Sequence, residues 1–219
     1  MKQFKILSSE STFRYDMSGE KCLMSDVQAF YHDDYRPGGY WKMSGTIENS
    51  ICTLKNDIAP YTSSVLGDAS NHLAQILKTD LPEILVATNK STLRVCVIPR
   101  AKKESYYQEN QLYLRATIQS VVNTLNGFED GTHDIIRHTN TQTTHRARWG
   151  YGGDGRMPYA GITRDTCNLS DNIIGKDILL IDDLYTKTVN IDEDCLQAII
   201  EKGARSVIFY AFGKTINRF

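Results

Sequence analysis

Residues 177–192, "DILLIDDLYTKTVNID", place two carboxylates, Asp182 and Asp183, directly after an apolar run. Adjacent like charges are costly unless something offsets them. A ribose diol, which donates hydrogen bonds, is one such partner. Mg²⁺ riding on a substrate phosphate is another, because it takes oxygen ligands and few protein carboxylates. The pair is followed by the hydroxyl residues Thr186 and Thr188, by Lys187, Val189 and Asn190, and then by a helical pattern. Backbone N–H groups in such a turn, with the positive end of a helix dipole, form an anion cradle. Sugar and phosphate contacts would thus lie a few residues apart. The plainer alternative is that Asp182 and Asp183 only end a strand while Asp192, Glu193 and Asp194 cap the helix.

The elements that must position these groups follow from the apolar pattern. "KQFKILSS" (2–9) reads as a short strand, and residues 18–42 read as irregular and aromatic. Ser44 is a candidate N-cap for a helix carrying Ile47, Ile51 and Leu54, ended by "KNDIAP". Residues 62–78 place Val65, Leu73, Ile76 and Leu77 at helical spacings. From Leu93 the pattern changes. "LRVCVIP" is a β-branched, nearly continuous apolar run, as in a buried parallel strand. A helix carrying Leu114, Ile118, Val121, Val122 and Leu125 follows, with Gly127 at its stop. "HDIIRHT", "KDILLIDD" and "RSVIFYAF" read as further strands, and "IDEDCLQAIIEKGA" as a helix. Residues 140–170 are poor in aliphatic side chains and read as a long loop, the kind that often serves as a lid. This alternation implies an α/β fold with a parallel sheet. Three loops, "RAKKES", "HTNTQ" and "DDLYTKTVN", leave the carboxyl ends of strands, where such sheets bind ligands.

Other signals carry less. "GYGGDG" (150–155) has the wrong spacing for a dinucleotide fingerprint, and Ile208 stands where "FGKT" would need a glycine to be a P-loop. His133, His138 and His145 lack a third ligand at metal spacing, so they read as polar loop residues. Phe30, Tyr31, Tyr35, Tyr40 and Trp41 suit either base stacking over a site or an aromatic subdomain core. A chain of 219 residues fits one sizeable domain, or one domain with an attached subdomain, and a net charge of −1 gives no global field for nucleic acid. The odd number of cysteines, none as C-x-x-C, points to a reducing cytosol rather than a disulfide framework. Neither a signal peptide nor a membrane span is expected.

"ILLIDDLYTKTVN" resembles the phosphoribosyl-pyrophosphate (PRPP) motif of the type I phosphoribosyltransferases: four apolar residues, two acids, then a Thr/Gly-rich loop. In layout the chain is most similar to the competence-protein-F-like branch. "IENSICTLKND" resembles its early helix ending in a lysine, here Lys55. "VCVIPRAKK", "IRHTNTQTTHRAR" and "SVIFYAFGKT" resemble its pyrophosphate-loop strand, its loop base and its last strand.

The resemblance implies an N-terminal hood over 1–90 and a phosphoribosyltransferase-like α/β core over 91–219, with a flexible loop at about 140–170. It gives Asp182 and Asp183 the ribose hydroxyls and a share of Mg²⁺. It gives Thr186, Lys187, Thr188, Val189 and Asn190 the 5′-phosphate, and Arg100, Ala101 and Lys102 the pyrophosphate, with Arg146 and Arg148 closing from the loop. The implied activity is Mg²⁺-assisted phosphoribosyl transfer from PRPP to a base, nucleotide or amine. The alternative is a non-catalytic nucleotide-sensing subunit or an effector of bacterial antiviral defence. A protein partner or a homo-oligomer is compatible with either. Two departures fall in the phosphate turn: Thr188 stands where the family has glycine, and Asn190 where it has threonine.

Overall fold

The computed structural model describes residues 1–13, 19–57, 60–143, 155 and 157–216. A six-stranded sheet forms its centre. The strands are β1 (Lys2–Ile6), β2 (Val27–Tyr35), β3 (Leu93–Val97), β4 (Phe128–Asp130), β7 (Asp177–Tyr185) and β8 (Ser206–Thr215). They lie in the order β1-β2-β8-β7-β3-β4. Only the β1–β2 pair is antiparallel. A separate antiparallel ladder joins β5 (Ile135–Arg137) to β6 (Cys167–Leu169).

Strand alternation sends side chains to two faces, and both are covered. Val95, Val97, Leu179, Ile181, Ile208, Tyr210 and Phe212 pack with α1 (Ile47–Lys55), α2 (Ser63–Thr88) and α3 (Tyr113–Val122). Cys96, Ile178, Leu180, Phe209 and Ala211 pack on the other side with α5 (Ile191–Glu201) and with Ile135 and Cys167 of the small ladder. Burial of both faces explains why "ILLI" shows no polar alternation. Each buried Val, Leu, Ile or Phe among them contributes about 1.5–3 kcal/mol by leaving water.

Several elements differ from the sequence expectation. The 18–42 stretch is not wholly irregular: β2 joins the sheet parallel to β8. Its "FYHDDY" end is aromatic and charged, which masked the strand. The neighbour of β3 is β4, three half-buried residues, whereas "HDIIRHT" leaves the sheet to form β5. The 140–170 stretch is not a continuous loop, because α4 (Ile162–Thr166) and β6 lie inside it. Thr46 rather than Ser44 caps α1, its Oγ1 accepting from the Asn49 N–H. The helix begun at Ser63 runs ten residues beyond 78, past Pro82. Among the described residues no helix is long and apolar enough to cross a membrane.

Candidate functional site

The site forms where neighbouring crossovers diverge. After β3 the chain packs α3 on one face of the sheet, and after β7 it packs α5 on the other. The boundary between β3 and β7 is therefore a topological switch point, where the strand ends leave a crevice. β3 pairs with β7 as far as Val97 and Ile181, and the Ile98 N–H still donates to the Ile181 carbonyl at 3.1 Å. β7 then continues to Tyr185 with β8 as its pairing partner. The resulting cleft, about 600 Å³, is lined by Asp182, Asp183, Thr186, Val189, Arg100, Ala101 and Lys102, among others.

Three loops meet there. The Thr141 N–H and Oγ1 both donate to the Ala101 carbonyl, at 2.8 and 3.0 Å. The Lys103 N–H donates to Asn140 Oδ1 at 3.0 Å. Arg137, buried, donates from Nε to the Arg100 carbonyl at 2.7 Å and from Nη1 to Thr166 Oγ1 at 2.6 Å. The "RAKKES" and "HTNTQ" loops thus form one wall of the cleft, with β7 and its following turn as another.

Alternation along β7 separates the two carboxylates. Asp183 meets Lys55 of α1, with Nζ 2.8 Å from Oδ2. Burial is the largest single influence on Lys55 and would lower its pKa, but the charge and hydrogen bond of Asp183 and the charge of Asp182 together outweigh it and hold the ammonium above its ordinary value. Asp182 accepts the Asp183 N–H at 2.8 Å and faces Asp192 in the first turn of α5. Burial, and then the charge of Asp183, push Asp182 up to about 7. Burial and the facing Asp182 raise Asp192 as well. Asp192 Oδ1 has no donor among the described residues. Two acids thus face each other, both held above the ordinary carboxylate range chiefly by burial.

The rest of "DED" is also buried. Glu193 accepts from Tyr185 Oη at 2.8 Å, and burial moves it to about 7. Asp194 accepts the N–H groups of Gly161 and Thr163, at 2.5 and 2.7 Å, tying α4 to α5. These acids therefore hold neighbouring elements in place as well as starting a helix.

The phosphate turn is arranged differently from expectation. The Val189 N–H donates to the Thr186 carbonyl at 2.9 Å, closing the turn. Thr188 has no positive φ; the left-handed residue is Asn190, at φ 59°. Asparagine tolerates that region better than a β-branched residue. Asn190 is buried, with Nδ2 donating to the Thr12 carbonyl at 2.7 Å, and neither it nor Thr188 lines the cleft. Lys187 pairs with Glu10 at 2.7 Å and borders a second cavity instead.

Arg100 reaches the cleft with its cation already engaged. Nη1 donates to the carbonyls of Lys55 and Gln111, at 2.9 and 2.8 Å, Nη2 donates to Asp57, and the guanidinium stacks over Tyr107. Arg146, Arg148 and His145 lie outside the described residues. His133 and His138 bond neighbouring threonines and do not line the cleft. Phe30, Tyr31, Tyr35, Tyr40 and Trp41 are absent from its walls, which carry Tyr106 and Tyr107 instead.

Sequence reasoning did not assign Arg115, Arg137 or Asp192 to the site, yet all three line the cleft; Asp192 read only as a helix cap. Burial lowers the Arg115 pKa, against the opposing effect of its partner Glu104. Arg137 was legible as the cation at the end of an apolar strand, whereas Arg115 looks like any helix-surface charge. The cleft balances Lys55, Arg100, Lys102, Arg115 and Arg137 against Asp57, Glu104, Asp182, Asp183 and Asp192. That mixture suits a ligand carrying both anionic groups and hydroxyl donors. Among the described residues no three His, Cys, Asp or Glu side chains converge as a metal site. No protein-family model matches the chain, and no curated protein matches it.

Proposed function

We propose that the cleft binds PRPP, or a closely related phosphorylated sugar, and transfers its phosphoribosyl group to a nitrogen nucleophile with release of pyrophosphate. The observation that carries this reading is the acidic pair on β7, at the switch point, with each carboxylate on its own support. Asp183, oriented by Lys55, accepts from a ribose hydroxyl. Asp182, backed by Asp192, accepts from or donates to the second. Thr186 and the turn's backbone meet the 5′-phosphate, and Lys102, Arg115 and Arg137 give the pyrophosphate a cationic wall. The bond from C1 to pyrophosphate oxygen breaks, the C1–N bond forms, and the nitrogen's proton leaves to solvent or pyrophosphate. Positive charge at C1 in the transition state is stabilised by the nearby carboxylates, which act by position and electrostatics.

The donor set fits a magnesium ion that arrives with pyrophosphate, since hard carboxylate oxygens are present but no protein cage is found among the described residues. Such an ion supplies charge neutralisation on the leaving group. Five free cysteines suit a reducing cytosol.

A second reading, binding without turnover, is favoured by Lys187 and Asn190 turning away from the cleft while Asp192 brings a carboxyl group into it. Calorimetry with PRPP and Mg²⁺, and pyrophosphate release over a panel of bases and amines, separate the two. Binding and release that both vanish in Asp182→Ala/Asp183→Ala support transfer. Binding without release supports a sensor. Absence of both in the wild-type protein rejects the site.

A further inference from the structure

A second cavity, of about 290 Å³, shares no lining residue with the main cleft. It is walled by Lys5 of β1, by Glu10, by Tyr185 at the end of β7, by Lys187 of the turn, by Glu193 of α5 and by Lys214 of β8. Three lysines thus face two carboxylates. Lys187 is held by Glu10, and Lys5 lies 4.0 Å from Asp26. Lys214 forms no ion pair among the described residues and rests over the rings of Phe4 and Tyr31, at 5.6 and 5.5 Å.

Glu193 is the second, independent observation. It is 2% exposed, and although Oε1 takes the Tyr185 hydroxyl, Oε2 has no partner among the described residues. A buried acceptor without a donor is costly, and native structures seldom leave one unexplained. The cavity therefore joins a lysine without an ion pair among the described residues, Lys214, to an unfilled acceptor. Its volume falls just under the roughly 300–1,000 Å³ of drug-sized ligand sites, so its occupant is small.

From this we infer a second ligand site, taking a small metabolite with an anionic group for the lysines and a hydroxyl or amine that donates to Glu193. The inference is independent of what the main cleft binds. An anion of this kind comes as a phosphate or as a carboxylate, and two probes distinguish the sources: glycerol 3-phosphate and serine.

Each probe is titrated into the ¹⁵N-labelled full chain, with inorganic phosphate as the donor-free control. Saturable amide shifts at Lys187, Glu193 and Lys214 are expected from at least one of the two probes, and the one that binds identifies the anion. Lys214→Ala weakens that binding by about tenfold, the worth of one charge-assisted hydrogen bond. Glu193→Gln removes the preference for the donor-bearing probe over inorganic phosphate, and Asp183→Ala, in the main cleft, changes neither. Should Glu193→Gln not fold, Lys5→Ala combined with Lys214→Ala carries the same test from the cavity's rim. The inference is overturned if neither probe produces shifts at millimolar concentration. It is equally overturned if the shifts survive Lys214→Ala in a protein with unchanged thermal melting, or disappear with Asp183→Ala.

Discussion

β7 carries an aspartate at each end, and the two live in opposite circumstances. Asp177, at the amino end, is 6% exposed and accepts from Lys90 Nζ at 3.0 Å, Arg205 Nε at 3.0 Å and Ser206 Oγ at 2.6 Å. The Arg205 bond, more than any other, holds its carboxyl far below the usual range. Asp182, at the carboxyl end, has one backbone donor and faces another acid, and its carboxyl is pushed up to about 7. One strand therefore has a fully satisfied end and an end with bonding capacity to spare. In a parallel sheet the carboxyl end is the one that meets ligands, and perturbed titration clusters at such places.

The largest effect expected from breaking this contrast is at the satisfied end. Asp177→Ala removes an acceptor shared by three side chains and should lower stability by about 2 kcal/mol. Urea unfolding measures this as a shifted midpoint with an unchanged slope. The main cleft should bind its ligand as before. A loss no greater than that of an ordinary surface substitution would mean that the amino end is not a structural anchor.

The next effect is one of pH, and its sign differs between the ends. Asp177 has a lowered pKa, so its contribution is present above the ordinary carboxylate value of 3.8 and fades as pH falls. Asp182 has a raised pKa, so its contribution is present below 3.8 and is lost as pH rises toward about 7. Glu193 adds in the same direction, from 4.5 toward about 7. Stability should therefore decline between about pH 4 and pH 7, by only on the order of 1 kcal/mol because the cleft partly opens Asp182 to solvent. Asp182→Asn gives Asp192 an amide donor that needs no proton, and should flatten the decline. A slope equally steep in that variant would place the titration elsewhere.

The sequence pattern made β7 legible because both sheet faces are buried, leaving an unbroken "ILLI" run before the acids. Location at the carboxyl end of a parallel strand followed from the order of strands and helices, whereas the switch point itself appears only in the sheet order. The directions of individual side chains did not follow. Nothing in "DDLYTKTVN" shows that alternation sends Asp183 to α1 and Asp182 to α5, because Lys55 is distant in sequence and Asp192 reads only as a helix cap. Thr188 looked like the position needing glycine's freedom, yet the left-handed φ falls on Asn190. Asparagine at that position signalled the demand, but a substitution for threonine concealed it. β2 escaped for a related reason: a strand ending in "FYHDDY" presents neither a clean apolar run nor alternation.

The smallest effect belongs to the turn that joins the two ends' logic. Lys187 and Glu10 are each nearly half exposed, with side-chain exposures of 47% and 44%. An ion pair in that setting is screened and must hold two flexible side chains, so Lys187→Ala should change stability by less than about 0.5 kcal/mol. If Lys187 instead helped hold a 5′-phosphate in the main cleft, the same substitution would weaken PRPP binding while stability stayed level. The geometry, with Lys187 bordering the second cavity, predicts that PRPP affinity measured by calorimetry is unchanged, whereas Thr186→Ala, on the cleft wall, lowers it. A fall in affinity with Lys187→Ala would show that the turn rearranges when phosphate arrives, and that the spare bonding capacity at the end of β7 includes the turn as well as the acids.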